Sequence, residues 1–176
     1  AENGYDVIWY NRSESGIQRG LNLIRLNQET LIKYEVLTKD QAEKAISRIK
    51  ITFDLDELND VDFVSESIAE NIEIKKELFS KIDNICRKDA ILTTNTSGLS
   101  ITEISSAVSN QQRFAGMHWW NPPHIIPLVE VIKGDNSSEQ TCLTVMEICR
   151  RLGKKPVFVK KDVPGFIGNR MQMALQ

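Results

Sequence analysis

The feature that most limits the fold is an alternation: short β-forming runs trade places with longer stretches whose apolar residues recur at helical spacing. Strands joined through helices return in the same direction, so this pattern predicts an α/β fold, a mostly parallel sheet covered by helices. The strand-like runs are residues 5–10, 51–53, 61–65, 90–94, 113–119, 128–132 and 156–160. Between them, capping-box spacing opens helices at Ser15 with Gln18, Thr38 with Gln41, Ser100 with Glu103 and Ser137 with Gln140. Ile17, Leu21, Ile24, Gln28 and Leu31 share one face of the first helix. Residues 68–86 form a charged helix with Ile68, Ile72, Phe79 and Ile82 on its buried side. A further helix carries Cys142, Val145, Met146, Cys149 and Leu152 on one face and is closed by Gly153. The stretch from Asp162 onward starts a last helix. Gly4 directly precedes the first strand, so residues 1–3 are expected to end a helix whose beginning is missing, and the chain, which opens without a Met, is expected to be a fragment.

A length of 176 residues suits one compact domain with its own core and is too short for two full-sized ones. With a net charge of -2 and a pI near 5.8, the chain lacks the basic footprint of a nucleic-acid binder. No apolar run reaches the roughly 18 residues that would span a bilayer. Three cysteines without CxxC spacing suggest a reducing setting, the cytoplasm or an organelle matrix, and offer no metal site. Cys142 and Cys149, two turns apart on an apolar face, read as core fillers.

Chemistry concentrates in "GMHWWNPPHIIPLVEVI", which holds both histidines of the chain. If residues 113–119 and 128–132 are antiparallel neighbours joined through "NPPHIIP", the connection is centred on His124, and His118 and Glu130 lie six residues to either side. A carboxylate would then hold one imidazole nitrogen and leave the other free as a base. The plain alternative is a surface histidine beside a solvated glutamate, yet Glu130 sits in an apolar run where an unpaired buried charge is costly. His124, at the loop tip, is expected to be exposed. A third cluster, "TTNTSGLS", runs from a strand end toward a helix start, the edge where open α/β sheets bind ligands. Asn95, Thr96, Ser97 and Ser100 offer polar groups there, although turn and capping chemistry would use the same residues. Ser97, His118 and Glu130 also suggest a hydrolase triad, but their order and the missing G-x-S-x-G elbow speak against it.

Four separated stretches, "ESIAENIEIKKELF", "TTNTSGLSITEI", "FAGMHWWNPPHIIPLVEVI" and "DVPGFIGNRM", resemble the successive motifs of the L-3-hydroxyacyl-CoA dehydrogenases. The resemblance covers almost the whole chain. It implies a Rossmann-type doubly wound sheet, mostly parallel, that here lacks its first strand and glycine-rich loop. Residues 1–162 would be an incomplete NAD(P)-binding domain and residues 163–176 the start of a helical C-terminal domain. It also implies an acyl-CoA substrate, a nicotinamide cofactor and a homodimeric full-length parent. His118 matches the family's base, Glu130 its supporting carboxylate, and Ser97 and Asn169 the groups around the reacting oxygen. Glu70, Lys75 and Asn95 match the nicotinamide side, although Glu70 and Lys75 would equally suit a solvated helix face, and Asn121 matches the same pocket wall. This fold also serves as a crystallin-like structural protein, so a non-catalytic binding role is the alternative.

The chain departs from the family where its first strand ends. Tyr10-Asn11-Arg12-Ser13 stands where an NAD enzyme carries an acid for the ribose hydroxyl. Without that carboxylate, Arg12 and Ser13 are expected to accept a 2'-phosphate, which favours NADP over NAD. Trp119 and Trp120 replace a commoner pair of phenylalanines and are expected to be packing changes.

Overall fold

The computed structural model describes residues 1–175. The chain divides into two compact units, residues 1–58 and 59–176.

In the first unit, β1 (Val7–Tyr10) leads through a short turn into α1 (Glu14–Lys33), then α2 (Lys39–Ser47) and β2 (Ile49–Thr52). The two strands pair in parallel, Val7 opposite Ile49 and Tyr10 opposite Thr52. Ser13, rather than Ser15, caps α1: its hydroxyl accepts the Gly16 N–H at 3.1 Å. The expected box at Thr38 and Gln41 is present in both directions. Ile17, Ala42 and Ala45 are buried, and Gln28 ties the two helices by donating to the Ala42 carbonyl.

The second unit begins with β3 (Phe63–Glu66), α3 (Ile72–Ile85), β4 (Ile91–Thr94) and α4 (Ile101–Ser105). Then come β5 (Phe114–Trp119), β6 (Leu128–Ile132), α5 (Glu139–Arg151), β7 (Lys155–Val159) and α6 (Gly168–Ala174). Its strands follow the order β3-β4-β5-β6-β7, with β5 and β6 antiparallel and every other pair parallel. The fold is therefore the expected mixed α/β arrangement with a mostly parallel sheet, while β1 and β2 form a separate two-stranded one.

Alternation along β5 and β6 decides what faces where. Ala115, Met117, Val129 and Val131 join Cys142, Val145, Met146 and Cys149 of α5 in one buried cluster. Burial pushes both α5 thiols up to about 11, so they stay protonated apolar fillers. The intervening residues Phe114, Gly116, His118, Glu130 and Ile132 point to the opposite face. There Phe114 meets Phe79 of α3 edge-on, and a side chain at Gly116 would strike Ile101 and Ile132 within 3 Å.

Element starts differ from expectation for identifiable reasons. The third helix begins at Ile72, not Ile68, because the Ile68 N–H goes to Glu66 and Asn71 supplies the cap to Ile74. Ser138 rather than Ser137 caps α5, since the Ser137 hydroxyl already accepts from Gly134. Lys75 does not belong to a solvated face: it is fully buried, on the same side of α3 as Phe79 and Ile82.

Candidate active site

Three strand ends and the start of α6 build the site, all within the second unit. His118 and Glu130 are direct partners in the β5–β6 register, and antiparallel partners project to the same face. His118 Nδ1 lies 2.8 Å from Glu130 Oε2, with 5% and 2% of the two residues exposed. A carboxylate only accepts, so Nδ1 carries a proton, and in the neutral ring the lone pair is then on Nε2. Nε2 has no hydrogen-bond partner among the described residues.

Glu130 is saturated with donors. Besides His118, its Oε2 accepts the Trp120 indole N–H at 3.3 Å, and its Oε1 accepts the backbone N–H groups of Ile167 and Gly168, each at 3.0 Å. Those two amides are aimed by a turn in which Gly165 (φ 75) and Phe166 (φ 49) adopt left-handed backbone. The Phe166 conformation costs a non-glycine residue on the order of 1 kcal/mol, and the carboxylate at the turn's exit offsets it. Burial raises the cost of the Glu130 charge. Hydrogen bonds from His118, Gly168 and Ile167 outweigh that and hold its carboxyl below the ordinary value.

The same segment places Asn169, whose amide donates to the Ser97 carbonyl at 2.9 Å. Ser97 is exposed, and its own N–H donates to Glu70 at 2.8 Å. Glu70 also accepts from the Thr96 hydroxyl at 2.5 Å. Behind this loop, the Lys75 ammonium is held by both oxygens of Glu66, at 2.7 and 3.0 Å, and reaches the Asn95 carbonyl at 3.4 Å. Thr94 donates to Glu66 as well, and the Asn95 side chain accepts from the Trp119 N–H.

The structure thus gathers His118 with Glu130, Asn169 with Ser97, and Glu70 with Ser97, linked through residues 167–169. Ser97 makes no hydrogen bond to His118, so no nucleophile–base contact supports the triad reading. Asn121 is exposed, whereas His124 is half-buried rather than exposed as the loop-tip position suggested. Asn11, Arg12 and Ser13 lie in the first unit, where Asn11 Oδ1 accepts the Ser13 N–H, Ser13 caps α1 and the Arg12 side chain is exposed.

Residues 1–163 match the family described as 3-hydroxyacyl-CoA dehydrogenase, NAD binding domain. The chain belongs to that family. It is 37% identical over 171 residues to the 3-hydroxybutyryl-CoA dehydrogenase of Clostridioides difficile, covering 97% of this chain and 60% of that one. A 5-formyl-3-hydroxy-2-methylpyridine 4-carboxylate 5-dehydrogenase of Mesorhizobium japonicum is 36% identical, over 99% of this chain and 56% of its own length. The crystal structure of (S)-3-hydroxybutyryl-CoA dehydrogenase from Ralstonia eutropha superposes with a TM-score of 0.94 at 34% identity, covering 99% of this chain and 61% of that one. The chain spans about three fifths of the length of these relatives.

Reading the sequence of this dehydrogenase-family chain missed Glu66, Asp162 and the role of Trp120. Glu66 closes a strand nine residues before Lys75 and is paired with it. Asp162 accepts from the Ser100 hydroxyl and the Thr102 N–H, pinning the start of α4 to the segment that leads to Asn169. Trp120 is more than the expected packing change: its indole is a donor to the buried carboxylate. Among the described residues no helix is long and apolar enough to cross a membrane.

Proposed function

We propose that the chain is the cofactor-binding part of an oxidoreductase that interconverts short-chain L-3-hydroxyacyl-CoA, such as 3-hydroxybutyryl-CoA, and 3-ketoacyl-CoA. The observation that carries this reading is a buried histidine in a dehydrogenase-family domain, its Nδ1 fixed on Glu130 and its Nε2 without a hydrogen-bond partner among the described residues. An alcohol yields its hydride only while its proton is being removed, so the reaction needs a base at the substrate oxygen. His118 Nε2 takes that proton, and Glu130 stabilises the imidazolium that results. In the reverse direction the imidazolium returns the proton, while the Ser97 hydroxyl and the Asn169 amide donate to the oxygen as its charge develops. The nicotinamide, when bound, supplies the hydride acceptor.

Glu70 and Asn95 face the nicotinamide side in this reading, and Lys75 acts from behind them through Glu66 and the Asn95 carbonyl. Asn11, Arg12 and Ser13 fit an adenosine 2'-phosphate: an exposed guanidinium stands beside the N-terminus of a 20-residue helix, with no carboxylate at position 11 or 13 to repel the anion. NADP is accordingly favoured over NAD. Residues 1–162 are assigned to the cofactor domain and residues 163–176 to the opening of a helical domain, an assignment supported by the absence of any buried residue on α6. The longer protein is expected to be a cytoplasmic homodimer.

The test is the loss of reduced-nicotinamide absorbance with acetoacetyl-CoA, run in parallel with NADH and NADPH, on the chain and on a form extended to the length of its relatives. Oxidation by the extended form supports the reading and identifies the cofactor. Silence of the extended form with both would overturn it in favour of a non-catalytic, crystallin-like or partner-binding role.

A further inference from the structure

Trp120 does two things that a packing residue would not need to do. Its indole N–H donates to Glu130 Oε2, the same oxygen that holds His118 Nδ1. Its six-membered ring also lies directly over Gly168, where an added Cβ would stand 2.0 Å from Trp120 Cζ2. Gly168 donates its N–H to the other oxygen of that carboxylate. Three elements pack on the imidazole: Glu130 from β6, Trp120 at the end of β5 with rings 5.8 Å apart, and Phe166 before α6 at 5.7 Å. Of these only Glu130 is charged, so whatever alters its oxygen alters the base.

We propose that Trp120 is a positioning residue for His118 that acts through Glu130, its indole N–H taking a share of the oxygen that holds the histidine and its ring seated on Gly168. Two donors on one carboxylate oxygen share its charge and lone pairs, so each is held less firmly than it would be alone. The indole therefore loosens the hold of Glu130 on the protonated imidazole and leaves His118 a readier proton donor than the carboxylate alone would make it. The glycine at 168 is the steric complement, since any side chain there would push the indole off its acceptor. This inference rests on the reading of His118 as the base, but its first test needs no turnover.

The experiment is nuclear magnetic resonance of the chain with labelled histidine, following the His118 Nδ1–H proton and the pH midpoint of its ring carbon signal, with H124Q to separate the two histidines. Trp120→Phe keeps an aromatic ring and removes the donor. The expected result is a downfield move of the Nδ1–H signal and an upward move of the midpoint, because the undivided carboxylate holds the imidazolium harder. Gly168→Ala, which keeps the indole but displaces it, should move both signals the same way. The double variant should match Trp120→Phe alone. Unchanged signals in Trp120→Phe, a downward midpoint, or additive effects in the double variant would overturn the proposal. Because these signals are read without substrate or cofactor, a failure of the dehydrogenase reading would show itself separately, as absent turnover.

Discussion

Replacing Glu130 with glutamine probes the site with little change in shape. The side chain is 2% exposed and meets four donors: His118 and Trp120 on one oxygen, the Ile167 and Gly168 amides on the other. A carboxamide has only one accepting end. The two backbone amides cannot turn away, so the glutamine oxygen takes their side and its NH2 faces His118. The imidazole then relieves the clash by moving its proton from Nδ1 to Nε2, the nitrogen that must be bare to accept the substrate proton. A hydrogen bond to a charged group contributes about 1.5–3 kcal/mol. At about 1.4 kcal/mol per factor of ten, its loss alone predicts a fall in kcat/KM of about 10- to 150-fold. The tautomer change adds to that.

The decisive assay is 3-hydroxyacyl-CoA oxidation by the extended protein, the direction in which His118 must accept the proton, with thermal unfolding alongside. Glu130→Gln should keep cofactor affinity near that of the parent, since none of its partners is a cofactor-binding residue in this assignment. Glu130→Ala should in addition lower the melting temperature, because it deprives two part-buried backbone amides of their acceptor. A Glu130→Gln protein with kcat/KM within about threefold of the parent would refute the tautomer argument, since a change of that size is smaller than the loss of one hydrogen bond to a charged group.

His118→Ala should cut kcat far more than it weakens cofactor binding, and equal losses in the two would count against a base. Arg12→Ala should weaken NADPH binding selectively; untouched NADPH affinity beside poorer NADH binding would sink the 2'-phosphate assignment. Lys75→Met leaves the Glu66 charge buried without its cation and should cost about 3–5 kcal/mol in urea unfolding, with part recovered when Glu66→Gln is added. No recovery in the double variant would mean that the pair is not the source of the loss. Asp83 is buried against Arg113; burial raises its carboxyl, and hydrogen bonds from Arg113 and Ser109 bring it below the ordinary value. Its contribution to stability is therefore full above about pH 4 and fades as the pH falls through its lowered folded value. Asp83→Asn should be less stable than the parent at neutral pH, with the gap narrowing toward pH 3; a gap constant with pH would contradict the linkage.

The His118–Glu130 pair was legible because it needs only local arithmetic. Two apolar runs joined by a short proline-containing connection pair about its midpoint, and the midpoint at His124 sets positions 118 and 130 opposite each other, as the register bears out. Strand bounds moved by a residue or two. The caps at Thr38 and Ser100 were legible for the same local reason, and those at Ser13 and Ser138 were not. At the start of α5 two serines compete, and Ser137 is already engaged by Gly134, which leaves the cap to Ser138. That choice depends on the course of the chain in three dimensions.

Glu66, the burial of Lys75 against it and the donor role of Trp120 escaped for a deeper reason. Periodicity counts apolar residues, so a lysine on the buried face of α3 registers as a gap in the pattern, and the glutamate that neutralises it lies on a different element. Its burial is tolerable only because both carboxylate oxygens reach the ammonium and the Thr94 hydroxyl and Ile68 N–H complete the shell. Trp120 is apolar enough to pass as packing until its one donor is seen against the carboxylate. In each case the sequence displays the half of the residue that burial rewards, and the polar half acquires meaning only from a partner that folding brings in. A site built of such halves is specified by the sequence as firmly as a helix is, but its terms are pairwise. The pair whose contact was readable in advance, His118 with Glu130, is the pair that shares a hairpin.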